Sequence, residues 1–140
     1  MDEKNRLDPL NESFGFNNHI GIKIITWDDG FGAVRVNLET HHLNPMKLIH
    51  GGLYTAMLDV ALAMTGSFRL YPAPLIPGLT LSLTTQFLSP AKLEDGYLVA
   101  EARRKGGGKT IFFAEGEVLT PSRNIIATAT GLFKPSRLPE

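Results

Sequence analysis

The chain has 140 residues, 43% of them hydrophobic and 20% charged, and its formal net charge at pH 7 is zero. This length suits one domain with a sizeable core. The zero net charge argues against a nucleic-acid partner, which usually meets a basic surface. The absence of cysteine excludes disulfides, thiolate metal ligands and a cysteine nucleophile. The opening MDEKNRLDPL lacks the apolar stretch of a secretory signal, so we expect a cytoplasmic protein.

The first segment, residues 1–18, is mostly polar, and we expect Phe14 and Phe16 to anchor it to the domain as a short helix. A single domain is predicted for residues 19–135, followed by a tail at 136–140. The domain begins with HIGIKIITW and AVRVNLE, in which apolar residues alternate with polar or small ones. This period-two pattern, interrupted by the turn sequence DDGFG, predicts a β-hairpin.

After the polar loop THHLNPMKLIH, residues 51–68 are apolar enough to predict one long buried helix. A membrane span is rejected because the stretch is barely long enough and contains two early glycines, two threonines and Asp59. The prolines at 72, 74 and 77 end any helix.

Four strands with short turns are predicted next: LTLSLTTQFL, YLVAEARRK, KTIFFAEGEVL and IIATATGLF. Alternation in the first of them places Leu79, Leu81, Leu83, Thr85 and Phe87 on one face, and Thr80, Ser82, Thr84 and Gln86 on the other. We expect these four strands to form an antiparallel meander. The fold class is therefore α+β, with a curved antiparallel six-stranded sheet wrapped around one long central helix.

Such a sheet covers only one side of the helix. We expect the remaining side, with Met57, Ala61 and Met64 among its residues, to face a second copy of the chain. The predicted assembly is a homodimer.

Two glycines, Gly51 and Gly52, open the helix although glycine is a poor helix former. Backbone N–H groups in the first helical turn lack partners and lie at the positive end of the helix dipole. A ligand carbonyl could approach them where side chains are absent, and would be polarised most strongly as an oxyanion. The alternative is that both glycines form a flexible junction between loop and helix.

Asp59 is the only charged residue between His50 and Arg69. It is either a functional carboxylate or a residue on a wet helix face that makes a structural hydrogen bond. At 1.5 Å per residue it lies about 12 Å along the helix from Gly51, too far to act on a carbonyl held there. Two such helices lying antiparallel across a dimer axis would bring Asp59 of one chain to Gly51 of the other.

Asn44, then His50-Gly51-Gly52, then an acid nine positions after the histidine resemble the hotdog-fold acyl-CoA thioesterases. The likeness is greatest to the phenylacetate-pathway (PaaI-like) branch, alongside the 4-hydroxybenzoyl-CoA thioesterases. It covers about residues 20–134 and includes PGLTLSLTTQFLSPAKLEDG. It implies a hotdog fold, a dimer or dimer of dimers, and hydrolysis of an acyl-CoA to a carboxylic acid and CoA. No cofactor is implied, since CoA is part of the substrate.

The resemblance also implies roles for individual residues. The Gly51 N–H would polarise the thioester carbonyl, with Gly52 beside it in contact with substrate. Asp59 of the partner subunit would be general base or nucleophile, and Asn44 and His50 would support the site through hydrogen bonds. Thr80 falls where related enzymes have a serine whose hydroxyl helps to hold the water.

One departure from the family pattern is Lys47, where the related sequences usually have glycine. If this position needs a positive φ, lysine is disfavoured and the loop is expected to differ. Alternatively, Lys47 meets an anionic part of the substrate or is simply solvated.

Weaker signals come from four basic residues and three histidines. Arg103, Arg104, Lys105 and Lys109 flank a triple glycine and either hold the phosphates of CoA or form a solvated turn. The three histidines at 41, 42 and 50 lack ligand spacing, so no metal is expected.

Two other functions compete with the thioesterase. One is a hotdog dehydratase or hydratase, which the His-Gly-Gly plus Asp arrangement disfavours. The other is a non-catalytic acyl-CoA sensor. Acyl length, aromatic preference and the choice of CoA or acyl carrier protein are left open.

Overall fold

The computed structural model describes residues 6–13 and 15–136. Two short helices, α1 (Asp8–Glu12) and α2 (Phe16–Ile20), precede the hairpin of β1 (Lys23–Asp28) and β2 (Phe31–Asn37). The long helix α3 (Gly51–Met64) follows. The remaining strands are β3 (Leu79–Phe87), β4 (Tyr97–Gly107), β5 (Phe112–Leu119) and β6 (Ile125–Lys134). The predicted order of two strands, a long helix and four strands is confirmed.

All six strands form one antiparallel sheet in the order β1-β2-β4-β5-β6-β3. The predicted four-strand meander is wrong in one respect, because only β4, β5 and β6 are sequential neighbours. β3 pairs with β6 and not with β4. The connection through residues 88–96 carries the chain from β3 at one edge to β4 near the middle, so closeness in sequence did not impose adjacency.

A β-bulge interrupts the pairing of β3 with β6. Thr80 lies opposite Phe133 and Ser82 opposite Leu132, so Leu81 is the extra residue. The bulge reverses the alternation at this point, because residues opposite each other in a sheet point to the same side. Thr80 therefore shares the inner face with Leu83, contrary to the strict alternation predicted from sequence.

Helix α3 packs on the concave face of the sheet and contacts β2 to β6. Two glycines allow close approach: a Cβ at Gly32 would lie 2.8 Å from the Ala61 carbonyl oxygen, and one at Gly116 would lie 2.9 Å from Leu62 Cδ1. The helix and the inner face of the sheet form one hydrophobic core.

The prediction of which helix face is uncovered is wrong. Met57, Ala61 and Met64 are fully buried in the chain itself. The half-buried residues of the helix are instead Gly51, Thr55, Ala56, Asp59 and Val60. Apolar residues surround this helix on nearly all sides, so its sequence periodicity could not indicate which stripe the sheet covers.

The N-terminal helices are held by specific hydrogen bonds. The Asn11 side chain donates to the Ile24 carbonyl and accepts from the Ile24 N–H. His42 is buried, donates through Nε2 to the Ile20 carbonyl at 2.7 Å, and accepts the Glu39 N–H at Nδ1. Phe16 does not anchor the segment within one chain, because it is 66% exposed. Phe14 lies outside the described residues.

Candidate active site

The loop before α3 is built around Asn44. Its side-chain oxygen accepts the N–H groups of Met46 and Leu48, and its backbone bonds to Leu48 and Lys47. Lys47 adopts a φ of 62°, in the left-handed region. The backbone of the loop thus keeps a positive φ at position 47. Only the residue type, lysine in place of the usual glycine, differs from the family pattern. Isolated L-residues pay about 1–2 kcal/mol for this conformation.

His50 caps the N-terminus of α3. Its Nδ1 accepts the Gly52 N–H at 2.7 Å, and a Cβ at Gly52 would lie 2.8 Å from the same nitrogen. A ring nitrogen that accepts an N–H carries no proton itself, so this bond assigns the ring N–H to Nε2. The exposed His50 ring therefore presents a donor beside the first helical turn.

The Gly51 N–H makes no hydrogen bond within the part of the chain that the structure describes. Gly51 is the first residue of α3, so this N–H lies at the positive end of the helix dipole. The Phe87 ring packs against the Cα side of Gly51, where a Cβ would lie 3.1 Å from Phe87 Cε1. A glycine at position 51 therefore also leaves room for the Phe87 ring, a role that sequence analysis did not detect.

Asp59 lies two turns further along the half-buried stripe. Its Oδ1 accepts the Thr80 hydroxyl at 2.6 Å, a short charge-assisted bond. No described residue bonds to Oδ2. Since the Thr80 hydroxyl uses its one proton on Asp59, its oxygen can only accept from a third group, such as a water. This pairing exists because the bulge turns Thr80 to the inner face.

The predicted residues therefore fall into two groups. Asn44, His50, Gly51 and Gly52 lie together at the start of α3, and Asp59 and Thr80 form the second group further along. β3 joins the two groups, since Thr80 near its beginning contacts Asp59 and Phe87 at its end contacts Gly51. Within one chain they do not converge, because the helix rise keeps Gly51 and Asp59 about 12 Å apart.

Tyr54 supports the first group and was missed by sequence analysis. Its buried hydroxyl donates to the Ile49 carbonyl and accepts the Ala91 N–H. Burial raises its pKa, the Ala91 hydrogen bond opposes that shift, and the negative charge of Asp95 adds to it. A phenol within an apolar helix was the available sign that a buried polar partner existed.

The four basic residues around the triple glycine are not linked to either group. Among the described residues, no hydrogen bond or ion pair connects them to it. Arg103 pairs with Glu117 at 3.2 Å, and Lys105 pairs with Glu115 at 3.3 Å. Arg104 donates to the Gly106 and Gly108 carbonyls. Lys109 is exposed, with no ion pair among the described residues.

Other site types find no counterpart in the described ranges. Residues 6–13 and 15–136 contain no cluster of three or more histidines and carboxylates that could hold a metal ion. None of the helices in those ranges combines the length and apolarity needed to cross a bilayer.

A six-stranded antiparallel sheet curved around one long helix is the hotdog fold. Solved structures share it: a mutant of the phenylacetic acid degradation protein PaaI from Thermus thermophilus superposes with a TM-score of 0.74 at 22% identity, covering 86% of this chain and 98% of that one. The Haemophilus influenzae thioesterase HI1161 superposes with a TM-score of 0.81 at 20% identity, covering 96% and 92%. These structures support the fold.

The sequence shows the family. The pattern of the thioesterase superfamily matches residues 46–127. A Schizosaccharomyces pombe protein named as a candidate esterase, C31F10.02, is 30% identical over 119 residues, which are 81% of this chain and 70% of that protein. The chain belongs to the thioesterase superfamily and is a thioester hydrolase, as the resemblance predicted.

Proposed function

We propose that the protein hydrolyses acyl-CoA thioesters at a site that two chains share. Asp59 is contributed by one chain and the Gly51 N–H by the other. The observation that carries the proposal is the position of the two half-sites at opposite ends of β3.

β3 is suited to pairing with a second copy. It is an edge strand of nine residues with no partner on its outer side among the described residues. Leu79, Leu81 and Phe87 are 63%, 51% and 59% exposed, and Leu88 directly after the strand is 60% exposed. A long, apolar, uncovered edge strand is a template for pairing with another chain. Two copies related by a two-fold axis would extend the sheet and cover these side chains.

The register follows from symmetry. If two β3 strands pair antiparallel about an axis at Thr84, Thr80 of each chain lies opposite Phe87 of the other, because the bulge residue Leu81 takes no position of its own in the pairing. Strands in a sheet are about 4.8 Å apart. Asp59 is hydrogen-bonded to Thr80, and Gly51 packs against Phe87 in each chain. Asp59 of one chain therefore approaches Gly51 of the other. One symmetry operation completes two sites at once.

The residues then have complementary roles in hydrolysis. The thioester carbonyl oxygen accepts the Gly51 N–H, with the His50 Nε2–H beside it. Asp59 Oδ2 takes a proton from a water that the Thr80 oxygen positions, and the water oxygen bonds to the carbonyl carbon. The C–S bond of the tetrahedral intermediate then breaks. The CoA thiolate takes from Asp59 the proton that came from water, and a carboxylic acid is released. A direct attack by Asp59 through an anhydride is the alternative for the same carboxylate.

The remaining predicted residues have supporting roles. Asn44 shapes the loop that presents His50, and Gly52 leaves room for the substrate as well as for the His50 ring. Of the four predicted basic residues, Lys109 is the one with no hydrogen bond or ion pair among the described residues, so it is our first candidate to bind the CoA phosphates. Arg103, Arg104 and Lys105 would first have to exchange their present partners.

A proline at position 51 tests the role of the Gly51 N–H. Proline is favoured at the first helical position and removes the N–H. His50 already has the extended backbone (φ −63°, ψ 132°) required before proline. We expect Gly51→Pro to lower kcat for acyl-CoA hydrolysis about 10²–10³-fold. Gly51→Ala is the matched control, because it places a Cβ against Phe87 but retains the N–H. Equal loss in both variants would refute the role of the N–H.

Complementation tests the shared site. We expect Asp59→Ala to abolish thiol release and Gly51→Pro to lower it about 10²–10³-fold, measured with acyl-CoAs of short, long and aromatic acyl groups. After subunit exchange, an equal mixture should regain about a quarter of wild-type activity, because half the dimers hold one intact site. No recovery despite demonstrated exchange would overturn the shared site. No wild-type turnover of any acyl-CoA would overturn acyl-CoA hydrolysis and favour the sensor.

A further inference from the structure

A cavity of 280 Å³ opens beside the N-terminus of α3. We propose that this cavity binds the acyl group of the substrate and that it selects small apolar acyl groups. This inference rests on the proposed function and deepens it. The cavity is lined by Phe16, Ile20, His41, His42, Leu43, His50, Gly52 and Leu53.

The position of the cavity relates it to the reacting carbonyl. His50 and Gly52, the two neighbours of Gly51, both line it. A thioester carbonyl bound at the Gly51 N–H has two substituents, the acyl carbon and the sulfur, and each must leave in a different direction. The cavity lies on one of these two sides of Gly51 and can therefore receive one of the two substituents.

The lining chemistry favours the acyl group over the phosphate-bearing arm of CoA. Among the described residues, no lysine, arginine, aspartate or glutamate lines the cavity, whereas phosphates require cations or several N–H donors. Phe16, Ile20, Leu43 and Leu53 are apolar. Three histidines also line the cavity. His42 adds no free donor, because both of its ring nitrogens are bonded to backbone groups. His41 Nδ1 lies 3.5 Å from Glu39 Oε2, and the His50 Nε2–H is assigned to the thioester carbonyl.

The size of the cavity limits the acyl group. Small-molecule pockets usually measure about 300–1,000 Å³, so 280 Å³ lies just below this range. A short alkyl chain or a single aromatic ring suits this volume, and a long fatty chain would extend past it.

Phe16 borders the cavity while most of its side chain stays accessible. It is 66% exposed, although it belongs to a helix whose last residue is tied to the buried His42. An exposed phenylalanine on a held helix gains favourable burial when an apolar group enters beside it. Phe16 is therefore the residue expected to contribute most to acyl selectivity.

Binding of non-hydrolysable CoA thioethers tests this proposal independently of catalysis. Calorimetry would compare methyl-CoA, hexyl-CoA and benzyl-CoA thioethers. We expect wild type to bind the hexyl and benzyl compounds about tenfold or more tighter than the methyl compound. Phe16→Ala should remove most of that preference, because it weakens binding of the hexyl and benzyl compounds more than binding of methyl-CoA. The matched control is Leu70→Ala, an apolar residue 78% exposed and outside the cavity lining, which should preserve the preference.

A filling variant keeps the test decisive if Phe16→Ala disturbs α2. Leu43→Phe reduces the cavity and should weaken benzyl-CoA binding more than methyl-CoA binding. The proposal is overturned if wild type shows no preference, or if neither variant changes it. Loss of the preference in a protein that hydrolyses no acyl-CoA would support the cavity and refute the proposed reaction. If the protein hydrolyses acyl-CoAs but neither variant changes the binding preference, the proposed reaction is supported and the role of the cavity is refuted.

Discussion

We assign two separable functions to His50: the cap on α3 and, in the proposed reaction, a donor at Nε2. The cap is the 2.7 Å bond from the Gly52 N–H to Nδ1. Replacing a capping side chain by alanine costs about 1 kcal/mol, which lowers Tm by about 3 °C in a chain of this size. We therefore expect this loss in His50→Ala. His50→Asn should keep wild-type Tm, because asparagine supplies an oxygen that caps equally well.

The two variants should differ in Tm but lose hydrolytic activity to a similar extent. Both variants lack the Nε2–H, and losing a hydrogen bond to a developing charge costs about 1.5–3 kcal/mol, a decrease of about 10–150-fold in kcat/KM. Thermal unfolding and thiol release on the same samples separate the two functions. Wild-type kcat/KM in His50→Asn would refute the donor role. A wild-type Tm in His50→Ala would refute the cap.

Three further substitutions test the surrounding structure. Lys47→Gly should raise the free energy of unfolding by about 0.5 kcal/mol, because glycine adopts the positive φ without strain. Lys47→Ala keeps a Cβ and should give no gain in urea unfolding. Equal effects of the two substitutions would refute strain at this position. The Arg123 hydrogen bond, opposed by partial burial and aided by nearby positive charge, lowers the pKa of Glu101 from its usual 4.5. This contributes stability above pH 4.5 that is lost as pH falls through the folded-state pKa, so Glu101→Gln should flatten the acid decline of Tm, and an unchanged slope would contradict the linkage. Gly66→Ala would place a Cβ 2.4 Å from Phe112 Cγ and should destabilise the fold by about 1–3 kcal/mol in urea unfolding, whereas an unchanged midpoint would show that the core yields.

Local patterns were sufficient for the number and order of the main elements. Alternating residues predicted the strands, and an uninterrupted apolar run predicted α3, because side-chain direction repeats with a fixed period in each structure. The same run carried the unusual residues Gly51 and Asp59, since a departure from a repeating pattern is visible without coordinates. Those residues, with Asn44 and His50, also carried the family resemblance that the thioesterase superfamily match confirmed.

Other features depended on contacts between distant residues. The pairing of β3 with β6, the bulge that turns Thr80 towards Asp59, and the Phe87 ring against Gly51 each join segments well separated in the chain. Strand order and bulges are decided by how side chains fill a shared core, and a local period contains no information about that partner. The sequence by itself determined the elements and most of the candidate residues, while the tertiary structure alone decided which face of α3 stays uncovered and how the candidate residues divide into two groups.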